Sequence, residues 1–201
     1  MMKLNPVLDL ADLPTYAFGH RSILWWGTVG FCLIEAAAFG LALVAYLYLR
    51  SKAVEWPPNV APPRLLWGTL NTGVLLASCI PNHLTKKAAE NENLRGVQIW
   101  LLVSIAFGLV FSAVRGFEFA ALNVQWDTNA YGSIVWALLA LHTLHIGTDV
   151  ADTMVLTALM FTRHAHGRRF VDVSENSFYW YFVVLTWLPI YAVIYLVPRV
   201  M

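Results

Sequence analysis

Long apolar runs separated by short polar segments organise this 201-residue chain. Five of the runs approach or exceed the roughly 20 residues that a helix needs to cross a hydrocarbon core about 30 Å thick. They cover about residues 23–49, 65–82, 96–114, 131–161 and 177–197. The first is interrupted only by Glu35, and the fourth carries His142, His145, Asp149 and Asp152. No segment alternates apolar and polar positions as the strands of a membrane barrel do, so the backbone must satisfy its hydrogen bonds within helices. The expected architecture is an all-α integral membrane protein: one domain over residues 1–201, built as a five-transmembrane-helix bundle.

The segments between the runs read as turns. Trp56-Pro57-Pro58 and Pro62-Pro63 fill the first connection, where proline cannot continue a helix. Residues 86–95 form a charged turn, and 163–175 a polar loop. Asp9, Asp12, Pro14, His20 and Arg21 precede the first run, without the short apolar core and cleavage site of a signal peptide, so that span is expected to be retained. Five spans put the two ends on opposite sides. Lys3, Arg21, Lys86, Lys87, Arg95, Arg163, Arg168 and Arg169 fall on the N-terminal side, against Arg50, Lys52, Arg64, Arg115 and Arg199 on the other. The basic excess places the N-terminus in the cytoplasm and the C-terminus in the periplasm.

Composition narrows the class further. Charged residues make up 12% of the chain, about half the share in an ordinary soluble domain, and 59% is hydrophobic, with a mean hydropathy of +0.60. A cytosolic enzyme and a disordered tail are excluded. Thirteen basic residues against 12 acidic ones leave no basic field to attract nucleic acid. Nine Trp, eight Tyr and eleven Phe suit interfacial aromatic belts. Cys32 and Cys79 sit inside apolar runs, so no disulfide framework is expected.

The candidate chemistry lies in the ionisable groups within the spans. At 100° per residue, His142, His145, Asp149 and Asp152 share an arc of about 80° on one helix face. A carboxylate facing lipid at the bilayer centre costs about 2.5–3.5 kcal/mol on the lenient insertion scale, so this face should meet protein, lipid headgroups or water. Glu35, midway along the first span, likewise needs a partner. One reading of the stripe is a metal or haem site. The preferred reading is a polar seam between helices, because no second helix supplies matching ligands. A proton path through Glu35, His142 and Asp149 is a further reading, although so few polar positions make a poor aqueous channel. Gly27, Gly30, Gly40, Gly108 and Gly132 are expected to permit close helix contact. Arg115 and Glu118 read as an interfacial pair at the end of the third span, and His164-Ala165-His166 as a solvated loop. Taken alone, these residues indicate a helical membrane subunit with no redox chemistry of its own.

Several stretches resemble subunit III of the haem–copper respiratory oxidases, from about residue 25 to residue 196. Trp25-Trp26-Gly27 with Glu35 and Phe39 is similar to the family's glutamate-bearing helix, and Trp56-Pro57-Pro58 to its proline loop. Leu70-Asn71-Thr72, then Leu75, Leu76 and Ser78, resembles its LNT-x-x-LL-x-S segment; Arg115 and Glu118-Phe119 sit where its next helix ends. Tyr131-Gly132-Ser133 and His142-Thr143-Leu144-His145-Ile146 resemble its YGS and HGLHV elements. The last helix is similar at Tyr179-Trp180, Phe182-Val183, Trp187-Leu188 and Tyr195-Leu196, but Tyr181 and Val184 stand where the family usually has a His and an Asp.

The resemblance implies an accessory, non-redox subunit of a haem–copper terminal oxidase that passes electrons from cytochrome c or quinol to oxygen. Subunits I and II would be its partners and would carry the haem and copper. This chain would hold no metal or haem, would bind phospholipid, and would support proton uptake and catalytic durability. Glu35, His142, His145, Asp149 and Asp152 would then be buried polar residues contacting lipid or subunit I. The five-helix form implies a bacterial plasma membrane rather than a mitochondrion. A nitric oxide reductase-like relative, a haem-b membrane anchor and a small transporter are the alternatives.

Overall fold

A computed structural model describes residues 16–163 and 165–200. The expectations that involve Lys3, Asp9, Asp12, Pro14 and His164 lie outside the described residues. After a 3₁₀ turn at Gly19–Arg21 come α1 (Ile23–Lys52), α2 (Leu65–Glu90), α3 (Leu94–Ala120), α4 (Ala130–Met160) and α5 (Arg168–Tyr191). A π turn at Ala192–Leu196 and a last helical turn, Val197–Val200, continue α5. Among the described residues there is no strand.

Four elements are long and apolar enough to cross a membrane: α1, α3, α4, and α5 with its continuation. At 26 residues α2 also has the length, but Asn71, Ser78, Asn82 and Thr85 lower its apolar character. All four of those side chains are buried inside the bundle, while Leu66, Leu70, Leu76 and Ile80 are exposed.

The helices start where local chemistry starts them. Ser22, Asn93 and Asn129 cap α1, α3 and α4, accepting from the backbone N–H of Leu24 (3.1 Å), Gly96 (3.2 Å) and Gly132 (2.8 Å). The two largest overruns of the apolar runs are at the end of α2 and the start of α5. The expected turn over 86–95 shrinks, because α2 continues through Lys86 and Lys87 to Glu90 and α3 begins at Leu94. The expected polar loop before residue 177 becomes helix from Arg168. The physical reason is a small satellite core: Phe170 and Val173 of α5 bury against Ala89, Val97, Leu101, Leu156 and Met160. That burial holds a polar-looking segment in helical form.

α2 packs on α3 and α5, α4 packs on α3 and α5, and α1 lies across α4 and α5. The main core runs through Leu75, Phe111, Tyr131, Leu138, Leu139, Ile146, Trp187 and Tyr195. α1 is the least enclosed element, with Cys32, Phe39 and Tyr46 as its buried side chains. Only part of the expected glycine packing holds. A Cβ on Gly108 would meet Val150 of α4, and one on Gly132 would meet the backbone of Gln125. Gly27, Gly30 and Gly40 have nothing within 4 Å, so no other helix approaches α1 closely at these positions. Another close approach falls at Gly68, where a Cβ would lie 2.5 Å from the ring of Tyr195.

Candidate functional site

The stripe on α4 faces three different environments, and each of its members answers to a different neighbour. His142 is fully buried, in a centre built from α2, α3, α4 and α5. The carbonyl of Val183 can only accept, so Nε2 of His142 donates to it at 3.1 Å. Nδ1 is therefore the acceptor, and Arg115 donates to it from Nη2 at 3.3 Å. The indole of Trp187 lies 5.0 Å from the imidazole.

Arg115 and Glu118 do form a pair: they are 2% and 1% exposed and lie 2.9 Å apart, Nη1 to Oε2, within the bundle. The Glu118 carboxylate collects two further donors: Asn71 Nδ2 at 2.7 Å and the Tyr195 hydroxyl. The guanidinium lies over the rings of Trp187 (4.2 Å) and Phe111 (4.8 Å). Nε of Arg115 has no hydrogen-bond partner, so the aromatic faces supply much of its stabilisation. Trp187 is itself held, donating from its indole to Thr72 Oγ1 at 2.7 Å. Position along the helix did not reveal this enclosure, because it does not give the rotation of a side chain toward its neighbours. The π turn brings Tyr195 onto Glu118.

The second centre joins α1, α4 and α5. His145 Nε2 lies 3.1 Å from Glu35 Oε1, with the side chains 12% and 13% exposed. The other carboxylate oxygen, Oε2, accepts from the Tyr179 hydroxyl at 2.6 Å. Nδ1 of His145 lies 2.6 Å from the carbonyl of Leu141, so it must be the donor there. Glu35 thus has the partner that its place in the span requires.

The third group sits lower on α4, in an open cleft of about 710 Å³ between α1, α4 and α5. Asn176 of α5 donates from Nδ2 to Asp149 Oδ1 (2.9 Å) and to Asp152 Oδ2 (3.2 Å). Its own oxygen accepts from Thr153 at 3.2 Å. Asp149 is buried and Asp152 is exposed, so the seam opens toward the cleft. At the cleft mouth Arg169 pairs with Asp172 at 2.8 Å. The sequence alone assigned no site role to Asn176 or Tyr179. Asp172, Glu175, Asn176 and Tyr179 share an arc of about 100° on α5, and that polar face was the signal available. Val184 is buried and Tyr181 half-buried where the family pattern has an Asp and a His. Among the described residues no three His, Cys, Asp or Glu side chains come together as a metal-ion site.

The family model for cytochrome c oxidase subunit III matches residues 21–198. Cytochrome c oxidase subunit 3 of Thermostichus vulcanus is 26% identical over 187 residues, covering 92% of this chain and 92% of that relative. The subunit of the same name from Synechocystis is 29% identical over 182 residues, covering 89% of this chain and 77% of the relative. That of Tachyglossus aculeatus aculeatus is 30% identical over 201 residues, covering 93% and 76%.

Proposed function

The chain belongs to the cytochrome c oxidase subunit III family, and from that premise we propose that it is a non-redox accessory subunit of a haem–copper terminal oxidase. It crosses a bacterial plasma membrane five times, N-terminus inside, with α2 as the span whose polar side chains turn inward. It packs against subunits I and II, which carry the haem and copper. Electrons pass from cytochrome c or quinol to oxygen without entering this chain. Its own contribution is to stabilise the catalytic subunit, hold phospholipid in the α1–α4–α5 cleft and support proton uptake.

The observation that carries this reading is the way His142 and His145 use their nitrogens. Each engages one nitrogen with a backbone carbonyl and the other with a charged or ionisable side chain. Neither imidazole fits as an axial haem ligand without breaking that network. The same geometry suits a scaffold: a polar interior, and one acid–base pair, Glu35–His145, held near the cleft that opens on the N-terminal side. The proton-uptake role is assigned to Glu35 because it is the carboxylate at mid-span whose partner is a base rather than an arginine.

The test replaces Glu35 by Gln in the assembled oxidase. Gln keeps the shape and can still accept from Tyr179, but it removes the ionisable carboxyl paired with His145. The expected result is slower proton uptake and a shorter turnover lifetime, with haem and copper content unchanged. Unaltered uptake and lifetime would refute the role. A haem absorbance band in the chain stripped of its partner subunits would refute the non-redox assignment.

A further inference from the structure

Several serines and threonines inside these helices direct their hydroxyls at their own backbone. Thr72, Ser112, Thr143 and Thr157 each donate to the carbonyl four residues back, at 2.6–2.8 Å. Ser104 of α3 does not. Its Oγ is buried and has no hydrogen-bond partner, although the carbonyl of Trp100 stands one turn back. An unpaired buried hydroxyl is costly, and back-bonding is the ordinary remedy. The side chain instead lines a small cavity where α2, α3, α4 and α5 meet.

The size and the wall of that cavity suit one ligand. About 10 Å³ is open to the centre of a water-sized sphere. A cavity reaches the size of one water at about 10–15 Å³. Its polar lining is Asn82 and Thr85 of α2, Ser104 of α3, Thr153 of α4, and Asn176 and Trp180 of α5. Three of these have their donors engaged elsewhere. Asn82 donates from Nδ2 to the carbonyl of Ser177 at 2.9 Å, and Trp180 from Nε1 to Ser78 Oγ at 2.9 Å. Asn176 gives its amide hydrogens to Asp149 and Asp152. The hydroxyl hydrogen of Thr85 goes to the carbonyl of Pro81 at 2.9 Å, which leaves its oxygen able to accept. Thr153 lies 2.9 Å from the carbonyl of Asp149 and 3.2 Å from Oδ1 of Asn176. Both are acceptors, so the Thr153 hydrogen is engaged and its oxygen can still accept. Ser104 keeps a hydrogen to give. The wall thus offers one donor and two acceptors.

We propose that this cavity binds one water molecule, which accepts from Ser104 Oγ and donates to Thr85 Oγ1 and Thr153 Oγ1. About three hydrogen bonds is the usual complement of a buried water. The molecule ties α2, α3 and α4 together at one point and acts onward through Thr153. Its donation occupies the Thr153 oxygen and leaves the Thr153 hydrogen directed at Oδ1 of Asn176. The amide is thereby held with its nitrogen toward Asp149 and Asp152. The water is a positioning element for those carboxylates and takes part in no bond making.

The experiment is X-ray hydroxyl-radical footprinting of the assembled oxidase, with modified side chains read by mass spectrometry. Radiolysis of an ordered internal water labels the side chains that touch it. Leu101 and Trp180 line the cavity at 1% and 7% exposed, and Leu138 and Trp187, both 0% exposed in the main core, are their controls. The expected result is about fivefold more labelling at Leu101 and Trp180 than at the matching controls, because a sealed side chain meets water only where water is bound. Ser104→Val removes the donor and fills the space with methyl groups. It is expected to bring both cavity residues down to the level of the controls. Labelling in the natural chain no higher than at the controls overturns the proposal. So does full labelling of Leu101 and Trp180 that survives in Ser104→Val. The comparison within the natural chain needs no substitution, so it stands whether or not the variant assembles.

Discussion

Replacing Arg115 by Met tests whether the interior of the bundle is organised around the Glu118 carboxylate. Met is close to arginine in length and keeps contact with Phe111 and Trp187, whose rings now flank the guanidinium. What it removes is the charge 2.9 Å from Glu118 and the donor to His142. Glu118 would be left 1% exposed with Asn71 and Tyr195 as its donors and no counter-charge. Breaking a buried ion pair from one side costs about 3–5 kcal/mol, because the remaining charge stays desolvated. Glu118→Gln alone should cost a similar amount, since it strands the guanidinium instead. The double variant removes both charges, so its loss should fall well below the sum of the two, by about 2 kcal/mol or more. The assay is reversible unfolding in mixed micelles followed by circular dichroism, with all four members of the cycle. Losses that simply add would show that the two side chains do not act as a pair. A loss under about 1 kcal/mol for Arg115→Met would show that the carboxylate is already neutral or hydrated.

The remaining expectations are narrower. Gly68→Ala places a methyl group 2.5 Å from the Tyr195 ring and should destabilise the bundle by about 1–3 kcal/mol in the same unfolding assay. Gly27→Ala, in open space on α1, should be neutral or slightly stabilising. Asn129→Ala removes the cap of α4 and should cost about 1 kcal/mol. At the surface, the Tyr16 hydroxyl donates to Glu92 at 2.8 Å, and that bond, followed by burial and the carboxylate's charge, raises its pKa above the usual tyrosine value. A raised pKa in the folded state means that the contact contributes below about pH 10 and is lost as the phenol ionises above it. Limited proteolysis near residue 16 should therefore accelerate at high pH in the natural protein. In Tyr16→Phe it should be fast at every pH, and an unchanged profile would rule out the tether.

Much of the helical framework was legible because the bilayer imposes it. A run of about 20 apolar residues has no lower-energy option than a helix. α1, α3 and α4 accordingly lie within a few residues of their expected bounds. α2 was less legible at its C-terminal end and α5 at its N-terminal end. There the stretches from Lys86 and from Arg168 look like loop, yet α5 is held by Phe170 and Val173 packed into the satellite core. The need for a partner at Glu35 could be derived from the cost of a carboxylate in lipid. The identity of that partner could not: His145 lies 110 positions further along and Tyr179 a further 34, and only helix rotation decides which side chains meet.

Hydropathy and helical period alone determined that this chain is a membrane-embedded helical protein with ionisable side chains turned off the lipid. Both follow from local transfer energies, which are sums over neighbouring residues. Tertiary structure decided the rest. It enclosed the Arg115–Glu118 pair within the bundle, divided the α4 stripe among a sealed core, an acid–base pair and an open acidic cleft, and used a π turn to bring Tyr195 to Glu118. Those outcomes depend on the rotation and contact of helices distant in sequence, and no local sum contains that information.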